Sequence, residues 1–229
     1  MIRSKEDLHF YLAADRFALG LPHRSGATER LKRLVFPNFI LRFQRTMRKL
    51  EYRRNCGKGP LSRLLGLCLT RRYHRLGVKL GFSIPLNVFG PGLSIAHYGT
   101  IIVNANARVG ANCRLHAGVN IGTEAGASGR APVLGDNCYI GPGAKLFGAV
   151  RIADGTAIGA NAVVNRSFEK PNMAIAGVPA RELGPVDTLE LVIPATRIVA
   201  RGLHTRKELA GASAMELKAL LKNDPDIYG

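Results

Sequence analysis

Cysteine is scarce in this 229-residue chain and long apolar runs are absent, and both features exclude classes of protein. The four cysteines form no Cys-x-x-Cys pair, and Cys113 and Cys138 lie within a regular apolar repeat. We therefore expect small core residues in a reducing compartment. No run of about 18 apolar residues occurs, and no apolar signal core follows the first residues. We expect no membrane span and a cytoplasmic location.

Acidic residues are also few, at 16 Asp+Glu against 33 Lys+Arg, and the imbalance is local. Residues 1–80 carry 19 basic against 5 acidic residues, residues 81–180 carry 7 against 4, and residues 181–229 carry 7 against 7. The basic region has two interpretations. It is either a solvated helical surface or a surface that attracts anionic partners, such as polyphosphates or anionic lipids at the inner membrane face. In the second interpretation the membrane-facing residues include one cluster, Arg42, Arg45, Arg48 and Lys49. No DNA- or RNA-binding signature accompanies the charge, so we expect no nucleic-acid partner.

Histidine is too sparse inside the repeat for a zinc site. Six histidines occur, but only His97 and His116 fall within the repeat, and zinc needs three nitrogen or sulfur ligands. We therefore expect no metal, and this count disfavours metal-dependent hydration chemistry of the carbonic-anhydrase kind. Each histidine is either an ordinary structural residue or part of an acid/base site, since imidazole titrates near neutral pH.

The chain does contain a six-residue period. Aliphatic or aromatic residues recur in three series: Phe89, Ile95, Ile101; Val103, Val109, Leu115, Ile121; and Leu134, Ile140, Leu146, Ile152, Ile158, Val164. This period matches neither a helix nor a flat strand, and it is typical of a parallel β-helix with three hexapeptides in each triangular coil. Gly often follows the repeat residue, where we expect it to relieve a sharp turn. Asn or Asp at five positions suits left-handed turns: Asn112, Asp136, Asn137, Asp154 and Asn161.

The period divides the chain into three parts. Residues 1–80 form a predicted helical N-terminal region, residues 81–182 the β-helix, and residues 183–229 a C-terminal tail. Two residues are added between Ile101 and Val103, and the Gly/Ala/Ser-rich segment 123–133 predicts a loop extruded from the coil.

Helix signals lie on both sides of the repeat. Ser4 with Asp7 opens a first helix, a second runs from about Thr28 to Arg54 with a break at Pro37, and a third covers about Leu61–Leu80. In the tail a capping box at Ser213 opens a helix that ends near Lys222. We expect the tail to cover the open end of the β-helix.

The register also predicts a histidine pair. Ile95 and Leu115 are one coil apart, so His97 and His116 fall close together on adjacent coils, near the point where the inserted loop leaves. A histidine pair beside a loop is suited to acid/base chemistry.

Three segments resemble serine acetyltransferases. Residues 93–103 (LSIAHYGTIIV) resemble the catalytic-histidine segment of that family, and residues 115–123 (LHAGVNIGT) resemble its next coil. The ending 176–181 (AGVPAR) is common to hexapeptide acyltransferases. Residues 83–100 are more closely similar to the branch associated with surface-polysaccharide biosynthesis. The resemblance covers about residues 60–184 and implies a left-handed β-helix behind N-terminal helices.

By this resemblance His97 is the general base of an acetyl-CoA-dependent O-acetyltransferase. Four positions would contact acetyl-CoA: Ala160, Asn165, Arg166 and Arg181. The resemblance also implies a homotrimer with the acetyl-CoA arm in a groove between two subunits, and it leaves a dimer of trimers open.

Departures from the family pattern bear on the acceptor. The family has an Asp fifteen residues before the catalytic histidine, where this chain has Phe82, and another directly before it, where this chain has Ala96. A loop histidine of the family is replaced by Ala131. Since those groups surround the amino-acid substrate, we expect a sugar hydroxyl in a surface-polysaccharide precursor, with His116 taking part of the missing role. The alternatives are a genuine serine acetyltransferase and a non-catalytic trimeric scaffold.

Overall fold

Every residue of the six-residue series is buried, and together these residues form the core of a left-handed parallel β-helix. The computed structural model describes residues 1–21, 35–126, 129–203, 212 and 214–222. Ile95 is paired with Leu115, Leu115 with Ile140, and Ile140 with Ile158, so equivalent repeat residues stack in columns. The predicted fold class is therefore confirmed.

The described residues contain fourteen short strands, numbered in chain order: β1 Phe82–Ser83, β2 Ser94–Ile95, β3 Ile101–Val103, β4 Arg108–Val109, β5 Arg114–Leu115, β6 Asn120–Gly122, β7 Val133–Leu134, β8 Tyr139–Ile140, β9 Lys145–Phe147, β10 Arg151–Ile152, β11 Ala157–Ile158, β12 Val163–Val164, β13 Met173–Gly177 and β14 Ala180–Pro185.

These strands form the three sides of the coil. Side A is β1-β3-β6-β9-β12, side B is β4-β7-β10, and side C is β2-β5-β8-β11-β13-β14. All neighbours are parallel except β13 and β14, which form an antiparallel hairpin at the C-terminal end of side C. We name the three corners by the sides they join, so the C–A corner contains the turns that lead from side C to side A.

Five helices and one 3₁₀ turn are described: α1 Lys5–Ala18, α2 Phe39–Cys56, α3 Gly59–Leu80, the 3₁₀ turn Thr188–Glu190, α4 Ala195–Ala200 and α5 Ala214–Lys222. The side chain of Ser4 accepts a hydrogen bond from the Asp7 backbone, as predicted. The second helix begins after Pro37, with Asn38 as its cap. The first residues of the predicted second helix, from Thr28 to position 34, and the capping residue Ser213 lie outside the described part of the chain.

The structure corrects the roles predicted for the glycines and the aspartates of the repeat. The glycines that follow repeat residues do not make the sharp turns; a Cβ on Gly110 would lie 2.6 Å from the backbone of Gly135 in the next coil. Glycine is required because adjacent coils approach closely at five of these positions: Gly90, Gly110, Gly135, Gly141 and Gly159. Asn112, Asn137 and Asn161 do adopt positive φ angles, of 54° to 56°, as expected.

The two aspartates act differently from the asparagines. Asp136 accepts a hydrogen bond from the Ala111 backbone N–H at 2.6 Å, and Asp154 accepts one from the Asp136 backbone N–H at 2.7 Å. Their carboxylates therefore tie one coil to the next, whereas the asparagines supply the left-handed turns.

Helix α2 closes the N-terminal end of the β-helix. Phe43 and Met47 are buried in the same cluster as the coil core, and the Gln44 side chain donates a hydrogen bond to the Leu93 carbonyl. The first coil thus has a helix above it in place of another coil.

Arg48 is a buried cation at the junction of α1, α2 and the first coil. Its guanidinium donates to Asp15 at 2.8 Å, to Glu51 at 3.1 Å and to the carbonyls of Phe89 and Gly90. Burial by itself lowers the pKa of Arg48, but the two carboxylates raise it above its ordinary value. The prediction that Arg48 contacts a membrane is wrong, because its side chain is completely buried.

The described part of the tail covers one strand edge at the C-terminal end of the coil, where Gly184 and Pro185 of β14 pair with β13, and its later residues lie along the side of the coil. Thr196 exchanges hydrogen bonds with Asn112 at the B–C corner. Further on, α4 packs through Ile198 against Phe17 of α1. The tail therefore runs back toward the N-terminal helices, because these offer the apolar surface that its own apolar residues need.

We expect the substitution Arg48→Gln to lower the free energy of unfolding by about 3–5 kcal/mol, because it leaves two buried carboxylates without their cation. Urea denaturation followed by circular dichroism measures this loss. The matched control is Arg45→Gln, an exposed charge on the same helix, which should cost no more than about 0.5 kcal/mol. Equal effects of the two substitutions would contradict the role of Arg48.

Candidate active site

The two histidines of the repeat are adjacent at the C–A corner. Residue His97 follows β2 and His116 follows β5, and these strands are neighbours on side C. Their ring centroids are 5.8 Å apart. The register that predicted their proximity is therefore confirmed.

The environments of the two imidazoles differ. The ring of His97 is exposed, whereas His116 is half-buried and its ring lies 5.1 Å from that of Tyr139. Burial lowers the pKa of His116, and the nearby charges of Arg114 and His97 lower it further. The Nε2 atom of His116 is buried and has no hydrogen-bond partner among the described residues. The pair is thus an exposed imidazole beside one that stays neutral near pH 7.

The inserted loop leaves the coil at a different corner. It follows β6 and precedes β7, so it projects from the A–B corner, and one strand of side A separates it from His116 along the chain. Its described residues include an exposed ion pair between Arg130 and Glu124, at 3.6 Å. Within one chain the histidine pair and the loop are therefore not brought together as expected.

The four positions proposed to contact acetyl-CoA are exposed and divided between two corners. Ala160 follows β11 at the C–A corner, and Arg181 lies on β14 opposite Ala176, close to the same corner. By contrast, Asn165 and Arg166 follow β12 at the A–B corner. The guanidinium of Arg166 lies 5.2 Å from the ring of Phe168.

The residues that replace the family's polar groups belong to the core or its edge. Phe82 is buried and packs edge-to-face on Phe43 at 5.2 Å, and Ala131 is also buried. In the described ranges no carboxylate bonds to His97 or His116. His97 therefore has no acidic partner to fix its tautomer within the described part of the chain.

Sequence reasoning did not identify two neighbours of the pair. Tyr139 contacts His116, and Arg114 lowers its pKa. Both residues directly precede a repeat residue on side C, and Arg114 is paired with Tyr139 in register. Applying the register to the outward-facing residues, and not only to the inward-facing ones, would have found them.

Metal-ligating side chains are dispersed in this structure. The described residues contain no group of three or more His, Cys, Asp or Glu side chains that could hold a metal ion.

Comparison with known proteins identifies the architecture. Residues 131–166 match the family model of the bacterial transferase hexapeptide (six repeats). A crystal structure of serine acetyltransferase from Brucella abortus superposes with a TM-score of 0.58 at 24% identity, over 80% of this chain and 69% of that one. The chain is a hexapeptide-repeat protein with the serine acetyltransferase fold.

Sequence similarity to this group is concentrated in part of the chain. The serine acetyltransferase of Mycobacterium tuberculosis is 35% identical over 101 residues, which cover 44% of each protein. The chain thus spans less than half the length of this curated relative. Another crystal structure with the serine acetyltransferase fold, in complex with coenzyme A and also from Brucella abortus, superposes with a TM-score of 0.54 at 24% identity, over 79% of this chain and 68% of that one.

We expect His116 to titrate below the ordinary histidine value of about 6.5, and Arg114→Gln to move its pKa upward by removing a nearby positive charge. Because the folded protein binds this proton more weakly than the unfolded chain, the contribution of His116 to stability is lost as the pH falls below about 6.5. NMR titration of the His116 ring protons measures the pKa. Arg108→Gln, an exposed arginine on side B, should leave it unchanged, and a wild-type pKa above 6.5 would contradict this assignment.

Proposed function

We propose that the protein is an acetyl-CoA-dependent O-acetyltransferase with His97 as its general base. The observation that supports this most strongly is the exposed His97 imidazole beside the neutral His116 ring at the C–A corner. The segments around both histidines resemble those of serine acetyltransferases, whose fold the chain shares.

In the proposed reaction the acceptor hydroxyl attacks the thioester carbonyl of acetyl-CoA directly. A carbon–oxygen bond forms, the carbon–sulfur bond breaks, and His97 takes the hydroxyl proton and passes it to the leaving thiolate. Backbone N–H groups at the corner would stabilise the developing oxyanion. His116 stays neutral, so it adds no positive charge that would oppose protonation of His97.

The surface between the histidines and the end of side C suits an extended thioester arm. In the register of side C, Ala117, Pro142 and Ala160 are equivalent to His97, so only short side chains occupy this column. The column spans three inter-strand steps, or about 14 Å. Arg181 lies near its end, where its guanidinium could bind phosphate.

A homotrimer would complete this site. Asn165 and Arg166 lie at the A–B corner, away from the histidines of the same chain. A groove between two subunits would bring the A–B corner of one beside the C–A corner of the next, together with the extruded loop. This arrangement supports a shared acetyl-CoA groove.

Two acceptors follow from different observations. Serine is supported by the similarity to serine acetyltransferases. A sugar hydroxyl of a surface-polysaccharide precursor is supported by the absence of acidic partners at Phe82 and Ala96 and of the loop histidine at Ala131. We favour the sugar, because a site that binds an amino acid needs charges for its ammonium and carboxylate groups. The basic N-terminal helices suit a lipid-linked acceptor at the inner membrane face.

We expect wild-type protein to release thiol from acetyl-CoA in the presence of its acceptor, and His97→Ala to be slower by about 10²- to 10⁴-fold, because the general base is lost. The assay compares L-serine with a panel of nucleotide- and lipid-linked sugars. Serine-dependent release that is lost in His97→Ala would identify a serine acetyltransferase. Undiminished turnover in His97→Ala would refute the assignment of His97 as general base. A protein that neither releases thiol nor binds coenzyme A would favour a non-catalytic scaffold.

We also expect Arg166→Gln and Arg181→Gln each to raise the KM for acetyl-CoA by about tenfold, as each removes a charge-assisted hydrogen bond to phosphate. Analytical ultracentrifugation of the same samples should give a trimer. Arg151→Gln removes an exposed arginine from side B and should leave KM unchanged. A monomer with full activity would refute the shared groove.

A further inference from the structure

Helix α3 has an apolar surface that is not covered by the rest of the described chain. Among its residues only Ser62, Gly77 and Leu80 are buried. Three leucines in its first three turns are strongly exposed: Leu61 at 68%, Leu64 at 59% and Leu67 at 67%. Exposure of this many large apolar side chains on one short segment indicates an interaction surface.

Basic residues surround this apolar segment. Exposed arginines lie before this segment at the end of α2, within it, and after it on the next turns of α3: Arg54, Arg63, Arg71, Arg72 and Arg75. No acidic residue occurs between Glu51 and Glu124 in the sequence. Glu51 itself is buried against Arg48. The leucines and the arginines around them therefore belong to a stretch of the chain that carries no exposed acidic residue.

A groove between α2 and α3 joins the charged and apolar parts. It has a volume of about 520 Å³, and its lining includes the side chains of Arg53, Arg54, Arg63, Leu50, Leu67 and Thr70. None of the three arginines forms an ion pair with another described residue. Three guanidinium groups in one groove suit a phosphate group, which they can bind through paired N–H donors.

We infer that the α2–α3 hairpin docks the protein on an anionic phospholipid bilayer. The exposed leucines enter the boundary between headgroups and acyl chains, and the arginine groove binds lipid phosphate. The three leucines span about 9 Å along the helix axis, and the apolar face of an interfacial helix enters the bilayer to a depth of about 5–10 Å. No helix within the described ranges is apolar enough over a sufficient length to cross a bilayer, so the contact is peripheral.

A second copy of this chain fits the surface less well. A two-fold contact places the same patch on both subunits, so the patch must be complementary to itself. Here it would bring two sets of arginines together, and within the described residues of the hairpin no exposed acidic side chain is available to neutralise them. A bilayer with anionic headgroups supplies the missing negative charge.

This inference extends the membrane contact that the proposed function includes. It rests on the proposed function only in the idea that docking brings the protein to a lipid-linked acceptor. Docking itself requires no acetyl transfer. The His97→Ala protein should therefore bind vesicles as well as the wild type, while thiol release without vesicles tests the reaction separately.

The experiment is flotation of the full chain with vesicles of phosphatidylcholine, with and without 30 mol% phosphatidylglycerol (about a third of the lipid, enough to give a negative surface potential). We expect binding only to the anionic vesicles, and weaker binding at high salt. Arg54→Gln combined with Arg63→Gln should reduce the affinity by about tenfold or more, and so should Leu61→Ser combined with Leu64→Ser.

Matched control variants carry the same types of substitution at exposed positions of the β-helix. Arg108→Gln with Arg151→Gln removes two exposed arginines, and Ile102→Ser with Val133→Ser removes two exposed apolar side chains. Both pairs should bind vesicles like the wild type, and all variants should have wild-type melting temperatures.

Three outcomes would overturn the inference. The first is wild-type binding that is absent or that the hairpin substitutions do not reduce. The second is an absence of vesicle binding combined with a smaller oligomer for the leucine variant in ultracentrifugation, which would assign the surface to a second copy. The third is calorimetric binding of inorganic phosphate that Arg54→Gln with Arg63→Gln abolishes, without any vesicle binding, which would assign the groove to a soluble phosphate.

Discussion

The stacking of one coil on the next is the constraint on which this structure depends. Backbone hydrogen bonds hold equivalent repeat residues in register, so the inward-facing aliphatic residues form continuous buried columns. The close approach of the coils then requires glycine at positions such as Gly110, where a Cβ would overlap the Gly135 backbone. The same register aligns the outward-facing residues, and this is how His97 and His116 become neighbours although they are separated in the sequence.

An uncovered end of a β-helix exposes its core and its strand edges to water. In this chain, helices cover the first coil. Arg48 connects α1, α2 and the carbonyls of the first coil through one buried guanidinium. Because both carboxylates and the cation are buried, each group depends on the others for its charge balance. The tail strengthens this junction by packing α4 against α1.

The histidine pair and the basic α2–α3 hairpin lie in separate parts of the structure. The histidine pair and the column of short side chains are at the C–A corner of the coil, with Arg114 beside His116 and Arg181 near the end of the column. The exposed leucines, and arginines that form no ion pair with a described residue, are on the α2–α3 hairpin at the N-terminal end. Such a division allows one part to bind a surface while another part remains open to small substrates.

Several features were determined by the sequence alone, because they depend on local spacing. The six-residue period fixed the core residues and the coil register, and this register placed His97 beside His116. Left-handed turns at Asn112, Asn137 and Asn161 followed from the tolerance of asparagine for positive φ. These inferences need only the repeat length and the stereochemistry of single residues.

Other features were decided only by the tertiary structure, because they depend on groups that are distant in the chain. Arg48 belongs to a cluster of basic residues in the sequence, yet contacts with Asp15 and the first coil bury it. The loop leaves at a different corner from the histidines, since one strand of side A intervenes. The tail packs on α1 because an apolar surface is available there. Likewise, Leu61, Leu64 and Leu67 are exposed because a different face of α3 packs against α2. The helical pattern in the sequence does not specify which face of α3 packs against α2.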